Sequence, residues 1–199
     1  MQRRKFLQVS GFSAVSFLFT RFDPISGNQM KVIRFPDAVS VRCSGEWISL
    51  TGSTETWKHE NVQVKFELNS EVLSLFVDAP GHELEFIKCS WKQAYPATSK
   101  FLTDQWERSY GDLSWESPSF TTSSPVTGTV ATTPAVAKRS PWYLLISDGV
   151  LTQAYGVKTG ANSFCSWQIS AEGLELILDT NSGGAGVLLG ERTLHAADI

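Results

Sequence analysis

The sequence predicts an all-β protein built as an antiparallel β-sandwich, with few or no helices after its N-terminal segment. Val62, Val64, Phe66 and Leu68 alternate with polar residues, which is the two-residue period of a strand with one buried face. Similar short apolar segments recur between polar turns, and after residue 28 no stretch of a dozen residues keeps a helical period. Closely spaced strands without intervening helices favour antiparallel sheets packed face to face.

The first 28 residues predict a twin-arginine-type export signal. The basic segment Arg3–Lys5 precedes a modestly apolar stretch, residues 9–20, that contains serine and glycine and is too short and too polar to span a bilayer permanently. We therefore divide the chain into a signal, 1–28, and a β-sandwich domain, 29–199, that is periplasmic or secreted and meets the membrane only during export. An ordinary basic terminus is the alternative interpretation.

From residue 29 onward the sequence predicts strands in close succession. The predicted strands are Met30–Phe35, Val39–Cys43, Glu46–Leu50, Val62–Leu68, Val72–Val77, Leu84–Trp91, Trp142–Ser147, Thr152–Val157, Ser163–Ile169, Leu174–Asp179 and Gly186–Leu189. The segment Asp78–Gly81 predicts a turn, because proline fixes φ and glycine accepts positive φ. Ser117–Ala137 is rich in Ser, Thr and Pro, which predicts a solvated crossing loop or, alternatively, an interdomain linker.

Charge and cysteine content exclude several function classes. The chain of 199 residues has a net charge of −3, and its basic N-terminus leaves the remaining domain more acidic still; without clustered Lys or Arg, nucleic-acid binding is not expected. Cys43, Cys89 and Cys165 are odd in number and widely separated, which predicts three buried structural thiols, with one disulfide plus one thiol as the alternative. Their spacing is not that of a zinc site, and we expect no metal or cofactor.

The densest group of aromatic and charged residues lies between residues 104 and 116. The predicted carbohydrate-binding residues are Trp106, Glu107, Arg108, Tyr110, Asp112 and Trp115. A pyranose ring presents C–H faces to aromatic rings and hydroxyl groups to carboxylates or guanidinium groups, so this combination suits a sugar. A strand and turn capped by aromatic residues, with internal ion pairs, is the structural alternative.

Carboxylate pairs in the same segment resemble the acid and nucleophile of a glycosidase. Asp104 with Glu107 is one such pair, and Asp112 with Glu116 is another. Spacing along a chain does not fix the separation in space that glycoside hydrolysis requires, so we predict no catalytic residue. The sequence also contains no Gly-x-Ser-x-Gly nucleophile motif.

Five segments, taken in order, resemble a known family. They are Asp104–Trp115, Pro141–Tyr143, Tyr155–Gly160, Phe164–Gln168 and Leu178–Leu194. From about residue 30 to its end, the chain resembles the N-terminal region of bacterial α-galactosidase-like proteins, the melibiase-type members of the glycoside hydrolase family thirty-six group. The resemblance implies a large β-sandwich of the supersandwich type, followed by a (β/α) barrel that carries two catalytic aspartates and hydrolyses terminal α-galactosides.

The chain departs from that family in one respect. A (β/α)₈ barrel takes about 250 residues, and the residues here are already assigned to strands. We therefore expect an accessory β-sandwich that is inactive alone, with an α-galactoside-type carbohydrate and a catalytic barrel domain as its partners. A stand-alone carbohydrate-binding module and a purely structural or interaction sandwich remain the alternatives.

Overall fold

The computed structural model describes residues 35–104, 113–117, 136–158, 162–170 and 172–199. Within these ranges all regular structure is β, which confirms the predicted fold class. The strands, numbered in chain order, are β1 Ala38–Cys43, β2 Glu46–Ser49, β3 Thr51–Ser53, β4 Thr56–His59, β5 Val62–Asn69, β6 Val72–Asp78, β7 Glu83–Lys92, β8 Lys100–Thr103, β9 Val136–Pro141, β10 Tyr143–Ser147, β11 Thr152–Gly156, β12 Phe164–Ser170, β13 Gly173–Asp179, β14 Val187–Leu188 and β15 Leu194–Asp198.

The strands form three antiparallel sheets. The largest has seven strands in the order β2-β1-β7-β13-β12-β9, with β14 paired to β7. The second has five strands in the order β15-β6-β5-β4-β3, and the third has three in the order β11-β10-β8. All pairings among the described strands are antiparallel.

All three sheets contribute to one hydrophobic core. Val41 and Ile87 enter it from the seven-stranded sheet, Val64 and Leu75 from the five-stranded sheet, and Ile146 from the three-stranded sheet. Each of these side chains is fully buried and alternates with more exposed neighbours along its strand. The fold is therefore an antiparallel β-sandwich whose largest sheet has one face in the core and one face outside it.

Local turn chemistry explains two of the strand junctions. Ser44 and Gly45 form the two-residue connection of the β1–β2 hairpin with φ of 50° and 87°, the positive values that primed hairpin turns require. Gly173 opens β13 with a φ of 142°, and a Cβ atom there would collide with the carbonyl of Trp91 on neighbouring β7. Only glycine fits at that position.

Several short strands were not predicted. These are β3, β4, β8, β9 and β15, whose sequences are short or polar and show no clear apolar alternation. The predicted loop Ser117–Ala137 overlaps β9 by two residues, and residues 118–135 lie outside the described ranges, as do residues 30–34 of the first predicted strand. These strands form because a neighbouring strand provides backbone hydrogen-bond partners, as β6 does for β15.

Trp142 forms the corner at which the chain passes from the seven-stranded to the three-stranded sheet. It lies between β9 and β10 with a φ of 60°, a conformation that costs a bulky residue about 1–2 kcal/mol. Its carbonyl accepts hydrogen bonds from the Val157 amide at 2.9 Å and from Trp167 Nε1 at 3.3 Å. Its ring packs edge-on against Phe164 at a centroid distance of 5.4 Å. These contacts hold the strained corner in place.

The three cysteines are buried and none is disulfide-bonded, as predicted. Burial raises the pKa of the Cys165 thiol to about 11. Burial, with a smaller contribution from the charge of Glu85, raises the pKa of Cys43 to about 11 as well, and burial alone raises the pKa of Cys89. Since the thiolate is the reactive form, these are inert packing residues.

We predict that replacing Trp167 destabilises the fold strongly. This side chain is fully buried and contacts Trp91 and Tyr155 at centroid distances of 6.0 and 6.1 Å. Trp167→Ala should lower the free energy of unfolding by about 3–5 kcal/mol, measured by urea denaturation followed by circular dichroism. Trp47→Ala, at an indole that is 50% exposed, is the matched control and should cost less than about 1 kcal/mol. Equal losses would contradict this account of the core.

The buried thiols predict a second outcome. The native protein should not react with a disulfide reagent such as dithionitrobenzoate on the timescale of minutes, because all three thiols are buried and their pKa values are raised. In denaturant, all three thiols should react. A single reactive thiol in the denatured, unreduced protein would instead indicate a disulfide.

Candidate functional site

A row of aromatic and charged side chains crosses the seven-stranded sheet. Trp47 on β2 pairs with Arg42 on β1, and Arg42 pairs with Phe86 on β7. Phe86 pairs in turn with Asp179 on β13, which pairs with Phe164 on β12. We call these five residues the aromatic row. Aromatic and charged positions alternate along it over five adjacent strands.

The aromatic row lies on the face of the sheet that points away from the core. The residues beside it in sequence are core residues: Val41 precedes Arg42, Ile87 follows Phe86 and Leu178 precedes Asp179, and each is fully buried. Because successive side chains of a strand point to opposite faces, burial of one set leaves the other set outside. At the β1–β7 pair a register shift lies between Arg42 and Cys43.

The aromatic row lines a cleft of about 330 Å³, together with Arg139, Ser166 and Ile177. We call it the outer-face cleft. Its size is at the lower end of the range of small-molecule sites. Trp47 and Phe86 lie at a centroid distance of 6.2 Å with an interplanar angle of 32°, so their faces form a tilted apolar wall.

Ion pairs fix the charged groups at one end of the outer-face cleft. Arg42 Nε lies 3.2 Å from Glu85 Oε2 and donates to the Gly45 carbonyl at 3.2 Å, while its guanidinium lies 5.9 Å from the Phe86 ring centroid. Nearby, Lys88 Nζ lies 5.5 Å from the Trp47 ring centroid. These cation–π contacts and ion pairs hold the wall of the cleft in one geometry.

Asp179 is a positioned carboxylate within the aromatic row. Its Oδ1 accepts hydrogen bonds from the Asn181 backbone amide at 2.9 Å and from Asn181 Nδ2 at 2.7 Å. Asn181 Nδ2 is itself anchored by the Glu85 carbonyl at 3.2 Å. A carboxylate has two oxygens with about four acceptor sites, so Asp179 retains capacity to accept hydrogen bonds from ligand hydroxyl groups.

Arg139 on β9 supplies the second guanidinium of the outer-face cleft. It pairs across the strands with Gln168 on β12, which is buried. With the Gln168 amide oriented so that its oxygen faces the guanidinium, that oxygen accepts from Arg139 Nε at 3.0 Å and from Nη2 at 2.8 Å. The buried amide therefore fixes the plane of the guanidinium.

The arrangement suits recognition of a sugar ring. Flat aromatic faces receive the C–H faces of a pyranose, and a fixed carboxylate and guanidinium receive its hydroxyl groups. Side chains on strands of a packed sheet are already ordered, so binding requires little further loss of conformational freedom.

Most of the predicted carbohydrate-binding residues fall outside the described ranges. Trp106, Glu107, Arg108, Tyr110 and Asp112 lie there. Trp115 is described and 42% exposed; the adjacent Glu116 exchanges backbone hydrogen bonds of 2.8 and 2.9 Å with Phe101 on β8. Trp115 does not line the outer-face cleft.

The sequence drew attention to only part of this cleft. Its segment Phe164–Gln168 contributes Phe164 and Ser166. The segment Leu178–Leu194 contains Asp179, although no site role was predicted for it. Trp47 and Phe86 were missed, because each is only a non-core position of a predicted strand. The available signal was that aromatic residues occupy outward positions of amphipathic strands. Their alignment into one row depends on the registers of four strand pairs, and these registers cannot be read from a single sequence.

A second polar cluster joins β6 and β15. Asp198 Oδ1 accepts from Ser74 Oγ at 2.6 Å and lies 2.8 Å from His195 Nε2, while Lys158 Nζ lies 4.0 Å from Oδ2. The Ser74 hydrogen bond, together with His195, lowers the pKa of Asp198. Serine and histidine both contact the same carboxylate oxygen, so this cluster is not the serine–histidine–aspartate relay of a hydrolase, in which histidine lies between the other two.

Two further properties bear on function. Among the residues that the structure describes, none forms a helix long and apolar enough to cross a membrane. Within the same ranges, no group of three or more His, Cys, Asp or Glu side chains is arranged to hold a metal ion.

Comparisons with known proteins identified no similar protein. No family model, no curated protein and no solved structure matches this chain.

Asp198 predicts how stability depends on pH. Its pKa is lower in the folded protein than the unfolded value of about 3.9, so its contribution to stability is present above that value and is lost as pH falls through the folded pKa. Asp198→Asn should cost about 1 kcal/mol at pH 7, with the difference from the wild type shrinking below about pH 4. Thermal unfolding across pH measures this, with Glu191→Gln at an exposed site as the control. A constant difference down to pH 2 would contradict it.

Proposed function

We propose that this chain is a carbohydrate-binding β-sandwich, the N-terminal accessory domain of an exported α-galactosidase-like glycoside hydrolase. Its binding surface is the outer-face cleft. The single observation that carries the binding role is the aromatic row, in which three aromatic rings alternate with a guanidinium and a carboxylate across five strands.

The geometry supports a sugar over other small ligands. The cleft has both polar and aromatic lining residues. An apolar ligand would desolvate the remaining acceptor sites of Asp179 and the remaining N–H groups of Arg139 without pairing them, at a cost in binding energy. The Trp47 side chain is 50% exposed and offers a ring face. Pyranose rings match both properties, because each ring has apolar C–H faces and a polar edge.

The accessory role rests on the resemblance to α-galactosidase-like proteins and on the twin-arginine-type segment. A stand-alone carbohydrate-binding module would use the same outer-face cleft and differs only in needing no catalytic domain. In both cases we expect no hydrolysis of an α-galactoside by the purified chain, because the regular structure of the described residues is all β and a (β/α)₈ barrel takes about 250 residues. Release of nitrophenol from nitrophenyl α-galactoside by the purified chain would overturn this.

The proposal predicts saturable binding of galactosyl oligosaccharides. Titration of the purified chain by calorimetry should give one site, and Trp47→Ala should weaken binding by about tenfold, since an aromatic contact contributes about 1–1.5 kcal/mol. Asp179→Asn should also weaken binding, because the amide replaces one acceptor oxygen with a donor.

The control is Val150→Ala, at a fully exposed turn residue that does not line the cleft. It should bind as the wild type does. Circular dichroism checks that each variant is folded. A flat titration of the wild type, or equal weakening by the control, would contradict the proposal.

A further inference from the structure

We propose that the outer-face cleft selects acidic sugars, specifically oligosaccharides that contain hexuronate residues, and that Arg139 recognises the carboxylate. This inference rests on the proposed carbohydrate-binding function and specifies its ligand class. It follows from the charge balance of the cleft and from the way that Arg139 is held.

Arg139 is oriented by a buried partner and retains donors. A guanidinium has five N–H groups, and the Gln168 oxygen receives those of Nε and Nη2 at 3.0 and 2.8 Å. Gln168 is only 5% exposed, so the guanidinium is held by a rigid element. The remaining N–H groups form a planar fork, which matches a carboxylate in a bidentate geometry.

Two other cations of this face, Arg42 and Lys88, already have carboxylate partners. Arg42 pairs with Glu85 at 3.2 Å and Lys88 pairs with Glu175 at 3.7 Å. None of the ion pairs among the described residues includes Arg139. Among the described residues that line the outer-face cleft, Arg139 is therefore the cation whose charge a ligand carboxylate would balance.

Asp179 lies at the other end of the outer-face cleft. It pairs with Phe164, whereas Arg139 pairs with Gln168, four residues further along β12. Four residues of an antiparallel strand span about 13–14 Å of backbone, so the two charged groups approach the cleft from opposite ends. A sugar between them can direct hydroxyl groups to Asp179 and its carboxylate to Arg139, which avoids placing two carboxylates together.

The test compares matched acidic and neutral ligands on the full chain. Calorimetry with trigalacturonate and with galactotriose at low salt should show at least about tenfold tighter binding of the acid, as a charge-assisted bidentate contact provides. Arg139→Gln should reduce the two affinities to within about threefold of each other while retaining binding of galactotriose. Arg139→Lys should keep part of the preference, because the charge remains and the fork is lost.

Lys58→Gln is the matched control, because it removes one positive charge from an exposed position on β4 in the five-stranded sheet. It should leave the preference for trigalacturonate unchanged. Equal affinity of the wild type for both ligands would overturn this inference and leave the proposed function standing. Binding of neither ligand would overturn the proposed function itself.

A sulfated galactan fragment separates carboxylate recognition from general attraction of anions. If it binds more tightly than trigalacturonate, the assignment to hexuronates is wrong. Thermal unfolding of each variant verifies folding, and a loss of preference in folded Lys58→Gln would show that overall charge, not Arg139, sets the selectivity.

Discussion

In the seven-stranded sheet, alternate side chains of each strand face the core and the outer face. This alternation is the constraint on which the rest of the structure depends. Along β7, β12 and β13 the inward positions are core residues such as Ile87, Trp167 and Leu176, and the positions between them form the outer-face cleft. A slip of one residue in any of these registers would expose the core set and bury the cleft set. The energy that fixes the fold therefore also fixes the geometry of the outer-face cleft.

The corner at Trp142 connects this sheet to the three-stranded sheet and to the cleft. Its carbonyl receives the Trp167 indole from within the core, and its ring packs against Phe164 at one end of the aromatic row. A strained backbone conformation persists only where surrounding contacts outweigh its cost. Here these contacts come from the core on one side and from the row on the other, so the position of Phe164 is coupled to the packing of the interior.

The sequence was sufficient for the fold class and for most of the strands, because alternation such as that of Val62–Leu68 is a local signal. It did not reveal β4, which pairs with the adjacent β3 and β5 but has no clear apolar alternation, or β15, whose partner β6 is distant in the chain. The outer-face cleft was largely out of reach for the same reason: Trp47, Phe86 and Asp179 are far apart in sequence and meet only through strand register. The predicted cluster around Trp106 was visible because its residues are consecutive, and its role stays a prediction.

The central claim is that ligand binds on the outer face of the seven-stranded sheet. Backbone and aromatic NMR signals, followed during titration with a galactosyl oligosaccharide, test it most directly, because each residue reports its own surroundings. The account predicts that the signals that shift cluster on β1, β7, β12 and β13, at Arg42, Phe86, Phe164 and Asp179. Shifts confined to other strands or to residues 104–117, with these four unchanged, would contradict it.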